Sequence, residues 1–316
     1  MPFQHQFHGL LFTDLDGTIK PGPGRNYCRD DLEALKELGR QGWYRVVATG
    51  RSLFSFVRAW VPDLELDALI FSSGAGLCLW NQAGPGRLLC GRCFTKTQTA
   101  TAIEAALSLG LGFYAYHAPP DSHHFFYHRT ERVPKGFQLR LNSFPQQTSP
   151  WPGFDQDAAA REAISQLLIM VPLEEADRIE NDFNRLSPGL SVLRSSSPFG
   201  DGCLWLEIFP PGVSKGKAAS ALAERMGLGS KSSVALGNDF NDRDLLSWAG
   251  RSFVTEDAPA ELTGRYPTIL PAGSGGLAQA AALFAGEAAF TSPRVKPSEG
   301  QNFVSASPRP GRGERS

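Results

Sequence analysis

Two carboxylates one residue apart, Asp14 and Asp16, follow the apolar run Leu10-Leu11-Phe12 and lead straight into Gly17 and Thr18. The run reads as a short buried strand, and Gly17 allows a sharp turn where the strand ends. Open α/β sheets place ligands at the carboxyl ends of their strands. Paired carboxylates at such a place have two uses. They bind a hard cation such as Mg²⁺, or they divide the roles of nucleophile and acid/base. Asp and Gly are also common at plain strand-to-turn junctions for conformational reasons. This stretch alone does not choose between those readings.

Three further polar clusters fall where a strand ends or a helix begins. Thr49-Gly50-Arg51 follows Val46-Val47-Ala48. Ser214-Lys215-Gly216 opens a helical pattern. Gly237-Asn238-Asp239-Phe240-Asn241-Asp242 follows an apolar strand over 233–236. If the strand order reverses between the two halves of the chain, the first strand and the 233–236 strand lie side by side. Their carboxyl ends then face one crevice, and acidic residues from both can share a cation.

The elements that must position these groups follow the chain in order. Strands are expected near 9–13, 46–48 and 69–71, separated by helices with Leu32, Leu35 and Leu38, then Leu53, Phe56, Val57 and Trp60, on their apolar faces. Asp30 or Asp31 is expected to cap the first helix. Strand–helix repeats of this kind predict a parallel sheet with right-handed crossovers. From about 78 to 211 the pattern becomes irregular. A hairpin over 80–94 turning at Gly84-Pro85-Gly86, an Ala-rich helix over 99–109 and a strand over 113–117 are expected. They are followed by a loop over 134–153, a helix over 158–170 running into a strand at 167–171, a helix over 173–186, and strands at 190–194 and 204–209. The parallel pattern then resumes from Ser214 to about 285. After Gly286 the composition turns to Pro, Ser, Gly and Arg, which predicts a disordered tail.

The 316 residues suffice for two domains, and 31 basic residues balance 32 acidic ones for a net charge of −1. That balance gives no sign of a nucleic-acid footprint or a polybasic membrane patch. No stretch is apolar for long enough to span a bilayer, and residues 1–9 do not look like a secretory signal. Five scattered cysteines suit reduced thiols, so a cytoplasmic protein is expected. Cys90-Gly-Arg-Cys93 has C-x-x-C spacing, but neither a second pair nor a nearby His completes a zinc set.

The four clusters together resemble the motifs of the haloacid dehalogenase (HAD) superfamily of phosphohydrolases. More narrowly, they resemble the Cof-type and sucrose-phosphatase-like branch, with its α/β cap inserted after the third strand. The D-x-D-G-T motif stands as Asp14-Leu15-Asp16-Gly17-Thr18. The strand ending in Thr stands as Val46 to Arg51, the G-x-S-K-G motif as Gly212 to Gly216, and the last motif as Gly237 to Asp242. The resemblance covers roughly 8–285. It implies an α/β, Rossmann-like core of mostly parallel sheet at 1–79 and 212–285. It also implies an inserted α+β cap at 80–211 that sets substrate specificity, with the tail at 286–316.

The resemblance further implies a Mg²⁺-dependent phosphatase of a small phosphorylated metabolite, a sugar phosphate, working through an aspartyl-phosphate. Asp14 is then the nucleophile and Asp16 the acid/base, with Lys215 neutralising charge. Thr18, Thr49, Gly50 and Arg51 are expected on the substrate side, although Arg51 could equally brace its own loop. Asp14, Asp16 through its backbone carbonyl, Asn238, Asp239 and Asp242 are the candidate metal ligands, with Asp239 standing in for Asn238 if the loop shifts and Asp242 either holding the metal through a water or orienting Lys215. The family has Asp where this chain has Asn238, an amide that can ligate Mg²⁺ but carries no charge. Two other functions therefore stay open: a phosphotransferase or mutase on the same scaffold, and a non-catalytic metabolite-binding protein.

Other conspicuous residues have plainer readings. His117, His123, His124 and His128 are expected on the cap surface or near substrate, since neighbours on a strand face opposite ways. Arg129, Arg132 and Lys135 read as solvated in preference to meeting an anionic substrate. Trp80, Trp151 and Trp205 read as packing residues in preference to stacking on a sugar, and Lys217 as a solvated lysine.

Overall fold

The computed structural model of the chain describes residues 7–131, 133–153 and 163–291, with side chains to 284. Its strands are β1 (Gly9–Thr13), β2 (Trp43–Ala48), β3 (Ala68–Phe71), β4 (Gly76–Asn81), β5 (Gly84–Gly91), β6 (Phe113–His117), β7 (Phe125–His128), β8 (Thr148–Pro150), β9 (Ile164–Pro172), β10 (Ser191–Ser196), β11 (Cys203–Phe209), β12 (Ser233–Gly237), β13 (Arg251–Thr255) and β14 (Thr268–Ile269).

Eight strands form the first sheet, in the order β14-β13-β12-β1-β2-β3-β4-β5. It is parallel from β14 to β3, and β4 and β5 add an antiparallel edge. The order reverses between β1 and β12, as the sequence argument required. Alternate strand residues face opposite sides. Leu11, Val47, Leu69 and Leu236 pack with Leu35, Leu38, Leu277 and Phe284 on one side. Leu10, Phe12, Val46 and Ala235 pack with Ala219, Leu222 and Leu245 on the other. Helices thus cover both faces, so the strands read as continuous apolar runs.

The second sheet has the order β10-β11-β9-β6-β7-β8 and is antiparallel apart from β7–β8. One face packs under the helices Lys96–Ser108 and Ala176–Leu186. The other carries a largely aromatic layer of Tyr114, Tyr116, Phe125, Phe137, Leu168 and Met170.

Several expectations change. The β4–β5 hairpin belongs to the first sheet, so a cap boundary at residue 80 falls inside β4. The hairpin turns at Gln82-Ala83, where Ala83 N donates to Asn81 Oδ1 at 2.8 Å, because Gly84 is already paired with Asn81. Within 134–153, helix Lys135–Ser143 and β8 replace the expected loop. Buried Phe137 anchors that helix, and the Tyr114 hydroxyl donates to its carbonyl at 2.6 Å. Tertiary packing there overrides a Gln- and Pro-rich composition.

The expected helix over 158–170 is strand from Ile164 onward, and residues 154–162 lie outside the described residues. The first helix, Arg29–Arg40, starts after Cys28 rather than at an aspartate cap. Asp31 instead accepts from Ala278 N at 3.0 Å, capping the last helix, Gly276–Thr291. That helix passes the expected tail boundary at 286. The rest of the tail, 292–316, lies outside the described residues, as do 1–6 and Arg132. Among the described residues no helix is long and apolar enough to cross a membrane.

Candidate active site

The site forms at the carboxyl edge of the first sheet. Thr13 pairs with Leu236, and Asp14 N donates to Leu236 O at 2.9 Å. The loops after β1 and β12 are therefore adjacent. Gly17 sits at φ +81°, and a Cβ there would lie 2.2 Å from the Asn238 amide. Gly74, after β3, has φ +104°, and a Cβ would lie 2.3 Å from Ser214 O. These two close approaches, which only glycine permits, bring four loops together.

Lys215 is the first residue of helix Lys215–Arg225, capped by the Ser214 side chain. It is fully buried, and its Nζ donates to Asp14 Oδ1 at 2.6 Å, Asp242 Oδ1 at 2.7 Å and Asn241 Oδ1 at 3.2 Å. Burial pushes the lysine down, but the two carboxylates outweigh it and hold its pKa up, so it stays charged. Asp14 is 5% exposed. Burial is the main influence raising its carboxyl to about 7, against the lowering pull of Lys215.

Asn238 carries the most telling geometry. One end of its amide lies 3.1 Å from the Asp16 carbonyl oxygen, 3.2 Å from Asp14 Oδ2 and 3.2 Å from Thr18 Oγ1. With nitrogen at that end, the amide donates to Asp16 O and Asp14 Oδ2. With oxygen there, three oxygens converge with no proton between Asn238 and either acceptor. That arrangement is stable around a cation. The spacing is close to the octahedral ligand edge of about 3.0 Å expected for metal–oxygen bonds of about 2.1 Å. Asp14 Oδ2, Asp16 O and Asn238 Oδ1 thus fit Mg²⁺, with one carboxylate in the set.

The other two acidic candidates turn elsewhere. Asp242 accepts from Lys215 through Oδ1, and from Asn238 N at 2.9 Å and Asp239 N at 3.1 Å through Oδ2. It braces the loop and positions the lysine. Asp239 faces the cap, accepting from Ser196 N at 2.8 Å, Ser196 Oγ at 3.0 Å and Phe240 N at 2.8 Å. Neither is brought to Asp14 as a ligand. Among the described residues no three His, Cys, Asp or Glu side chains form a metal-holding group, the four histidines and the C-x-x-C pair included.

The Asp16 carboxylate is 47% exposed and forked by Arg51, at 2.5 Å to Nε and 2.7 Å to Nη2. Thr49 is buried at the end of β2, and its Oγ1 accepts from Arg51 N at 3.1 Å. Gly50 is exposed beside it. These groups line a cavity of about 560 Å³ together with Asp14, Asn238 and Asp239.

The opposite wall of that cavity escaped the sequence reading except for Trp205. It comes from the second sheet and helix Lys135–Ser143, through Tyr116, Arg140, Gln166, Ser195, Trp205 and Glu207. Glu207 is buried in β11 and accepts from Ser73 Oγ at 2.9 Å, Gln166 Nε2 at 3.0 Å and Ser195 Oγ at 2.6 Å. Burial raises its pKa. A carboxylate alone among Leu204, Trp205, Leu206, Ile208 and Phe209 was the available signal. Its partner Ser73 follows Ser72, and both hold left-handed backbone (φ 51° and 48°).

A family model described as haloacid dehalogenase-like hydrolase matches residues 11–273. An HMP-PP phosphatase from Cronobacter sakazakii is 37% identical over 64 residues, which is 20% of this chain and 24% of that protein. The chain thus spans about a quarter of that relative's length. A HAD-superfamily phosphatase from Bacteroides thetaiotaomicron superposes with a TM-score of 0.71 at 18% identity, covering 90% of this chain and 98% of that one. A HAD subclass IIB sugar phosphatase superposes with a TM-score of 0.67 at 15% identity, covering 88% and 99%.

Proposed function

Because the chain belongs to the haloacid dehalogenase-like hydrolase family, we propose that it is a Mg²⁺-dependent phosphatase of a small phosphorylated metabolite, a sugar phosphate. The single observation that carries this reading is the buried triad of Asp14, Lys215 and Asp242 opening onto a metabolite-sized cavity. The names of the relatives point the same way.

In this reading Asp14 attacks phosphorus and the ester P–O bond breaks, leaving an aspartyl-phosphate. Asp16 gives a proton to the departing oxygen. It then takes one from a water that attacks phosphorus, releasing phosphate and restoring Asp14. To do so Asp16 must leave Arg51, and an arriving phosphoryl anion offers Arg51 another partner. Lys215 holds Asp14 in place and offsets charge on the transferring group. Thr49 and Gly50 border the place of the phosphoryl oxygens, whereas Thr18, expected beside them, is fully buried behind Asp14 and outside the cavity lining, its hydroxyl 3.4 Å from Asp14 Oδ2. Asp14, Asn238 and the Asp16 carbonyl would hold Mg²⁺, which offsets the repulsion between two anions when bound. Five free thiols support a cytoplasmic location.

The test is Asp14→Asn. Release of phosphate from p-nitrophenyl phosphate is expected to fall by about 10⁴-fold or more, with the fold retained by circular dichroism. Turnover within tenfold of the parent would remove the assignment.

A further inference from the structure

Buried and half-buried arginines of this protein meet carboxylates. Arg45 pairs with Glu65 and Asp67, Arg51 with Asp16, and Arg194 with Asp177 and Glu180. Arg140, on helix Lys135–Ser143, does not. Its guanidinium lies over four rings, with centroids at 5.0 Å (Phe144), 5.2 Å (Trp205), 5.7 Å (Tyr116) and 5.9 Å (Phe125). Its Nε donates to the Tyr116 hydroxyl at 3.0 Å. Among the described residues it has no ion pair, which leaves four N–H donors for something else.

Aromatic faces hold a guanidinium by cation–π attraction but do not satisfy its in-plane donors. The nearby carboxylate of Glu207 is already engaged with Ser73, Gln166 and Ser195. Arg140 and Trp205 both line the cavity that holds Asp14 and Thr49. They belong to the cap, whereas the phosphoryl-handling groups belong to the first sheet. A guanidinium whose in-plane donors stay open toward such a cavity is suited to an anion that arrives with the ligand.

We infer that the leaving group of the substrate carries a second anion, a carboxylate or a second phosphate, which Arg140 receives through its open donors. The substrate class is thus a phosphorylated hydroxy acid or a bisphosphate rather than a neutral sugar monophosphate. This deepens the phosphatase reading and rests on it. The aromatic setting of Arg140 also explains why lysine is no substitute there. A lysine keeps the charge but loses the planar fork and its stacking.

The test compares 3-phosphoglycerate, fructose 1,6-bisphosphate and glucose 6-phosphate as probes of the carboxylate, the second phosphate and neither. The parent is expected to prefer one of the doubly anionic probes in kcat/KM by at least about tenfold. Arg140→Ala is expected to reduce that preference by about 10- to 100-fold, mostly through KM, the range for losing charge-assisted hydrogen bonds. Arg140→Lys should recover only part of it. The preferred probe tells carboxylate from phosphate. An unchanged preference in Arg140→Ala, or equal rates on all three probes in the parent, overturns the inference. If Arg140→Ala does not fold, Arg140→Gln, which keeps a planar group on the rings, carries the comparison. Calorimetric binding of the same probes to the Asp14→Asn protein, with and without Arg140→Ala, reads the subsite without turnover. Tighter doubly anionic binding that Arg140→Ala abolishes supports the subsite even if the parent hydrolyses nothing, in which case the phosphatase reading alone fails. Equal binding of all three probes overturns the subsite.

Discussion

The two walls of the cavity treat charge in opposite ways. On the wall from the first sheet, the charges around Asp14 are matched within the protein. Lys215 sits between Asp14 and Asp242, and Arg51 grips Asp16. On the opposite wall, Arg140 has donors to spare. A reacting group must be held in one place before substrate arrives, and buried ions keep that place only when paired. A recognition group must keep its capacity for the ligand. In the proposed reading, the contrast separates the wall that performs chemistry from the wall that selects.

The largest break of this comparison is Lys215→Ala. It strands two buried carboxylates, and about 3–5 kcal/mol of stability should be lost in urea unfolding, with phosphatase activity falling alongside. A loss below about 1 kcal/mol would mean that the first wall is not internally matched.

Next comes the pH response of the metal-free protein. A carboxyl raised from 3.8 to about 7 binds its proton more tightly in the folded state. Its contribution to stability is therefore full below about pH 4 and is lost as pH climbs through about 7. Comparing the parent with Asp14→Asn across that window should isolate a term on the order of 2–4 kcal/mol, present only in the parent. Parallel curves would refute it.

Asn238→Asp adds a second carboxylate where three oxygens converge. The Mg²⁺ midpoint, read from thermal shift without substrate, should drop by about tenfold, while the metal-free protein melts earlier. Asp239→Asn should leave that midpoint in place, because Asp239 holds Ser196 of the cap. The smallest effect expected is in Ser73→Ala. It should cost about 1 kcal/mol, since Glu207 keeps its other two donors.

The legibility of the fold follows the same division. The first sheet was readable because β1, β2, β3 and β12 are apolar on both faces and end in turn residues. Even the adjacency of β1 and β12 followed from the reversal rule. The cap was readable in outline, as alternating strands and helices. Its Lys135–Ser143 helix was missed because Gln138, Arg140 and Asn142 gave no helical apolar stripe strong enough to outweigh the surrounding prolines. That helix carries Arg140, so the miss in secondary structure became a miss at the site.

By itself, the sequence determined which groups stand at strand ends, because a side chain's place along a strand and the turn after it are local properties. Asp14, Asp16, Thr49 and Asn238 were marked in that way, and Lys215 by its place at the start of a helix. Only the tertiary structure decided which way those groups turn. It sends Asp239 to Ser196 and Asp242 to Lys215, forks Asp16 with Arg51, and sets Asn238 against Asp14 and the Asp16 carbonyl. These choices depend on partners more than 200 residues away along the chain, and hydrogen-bond geometry is settled over tenths of an ångström. No local pattern carries that information.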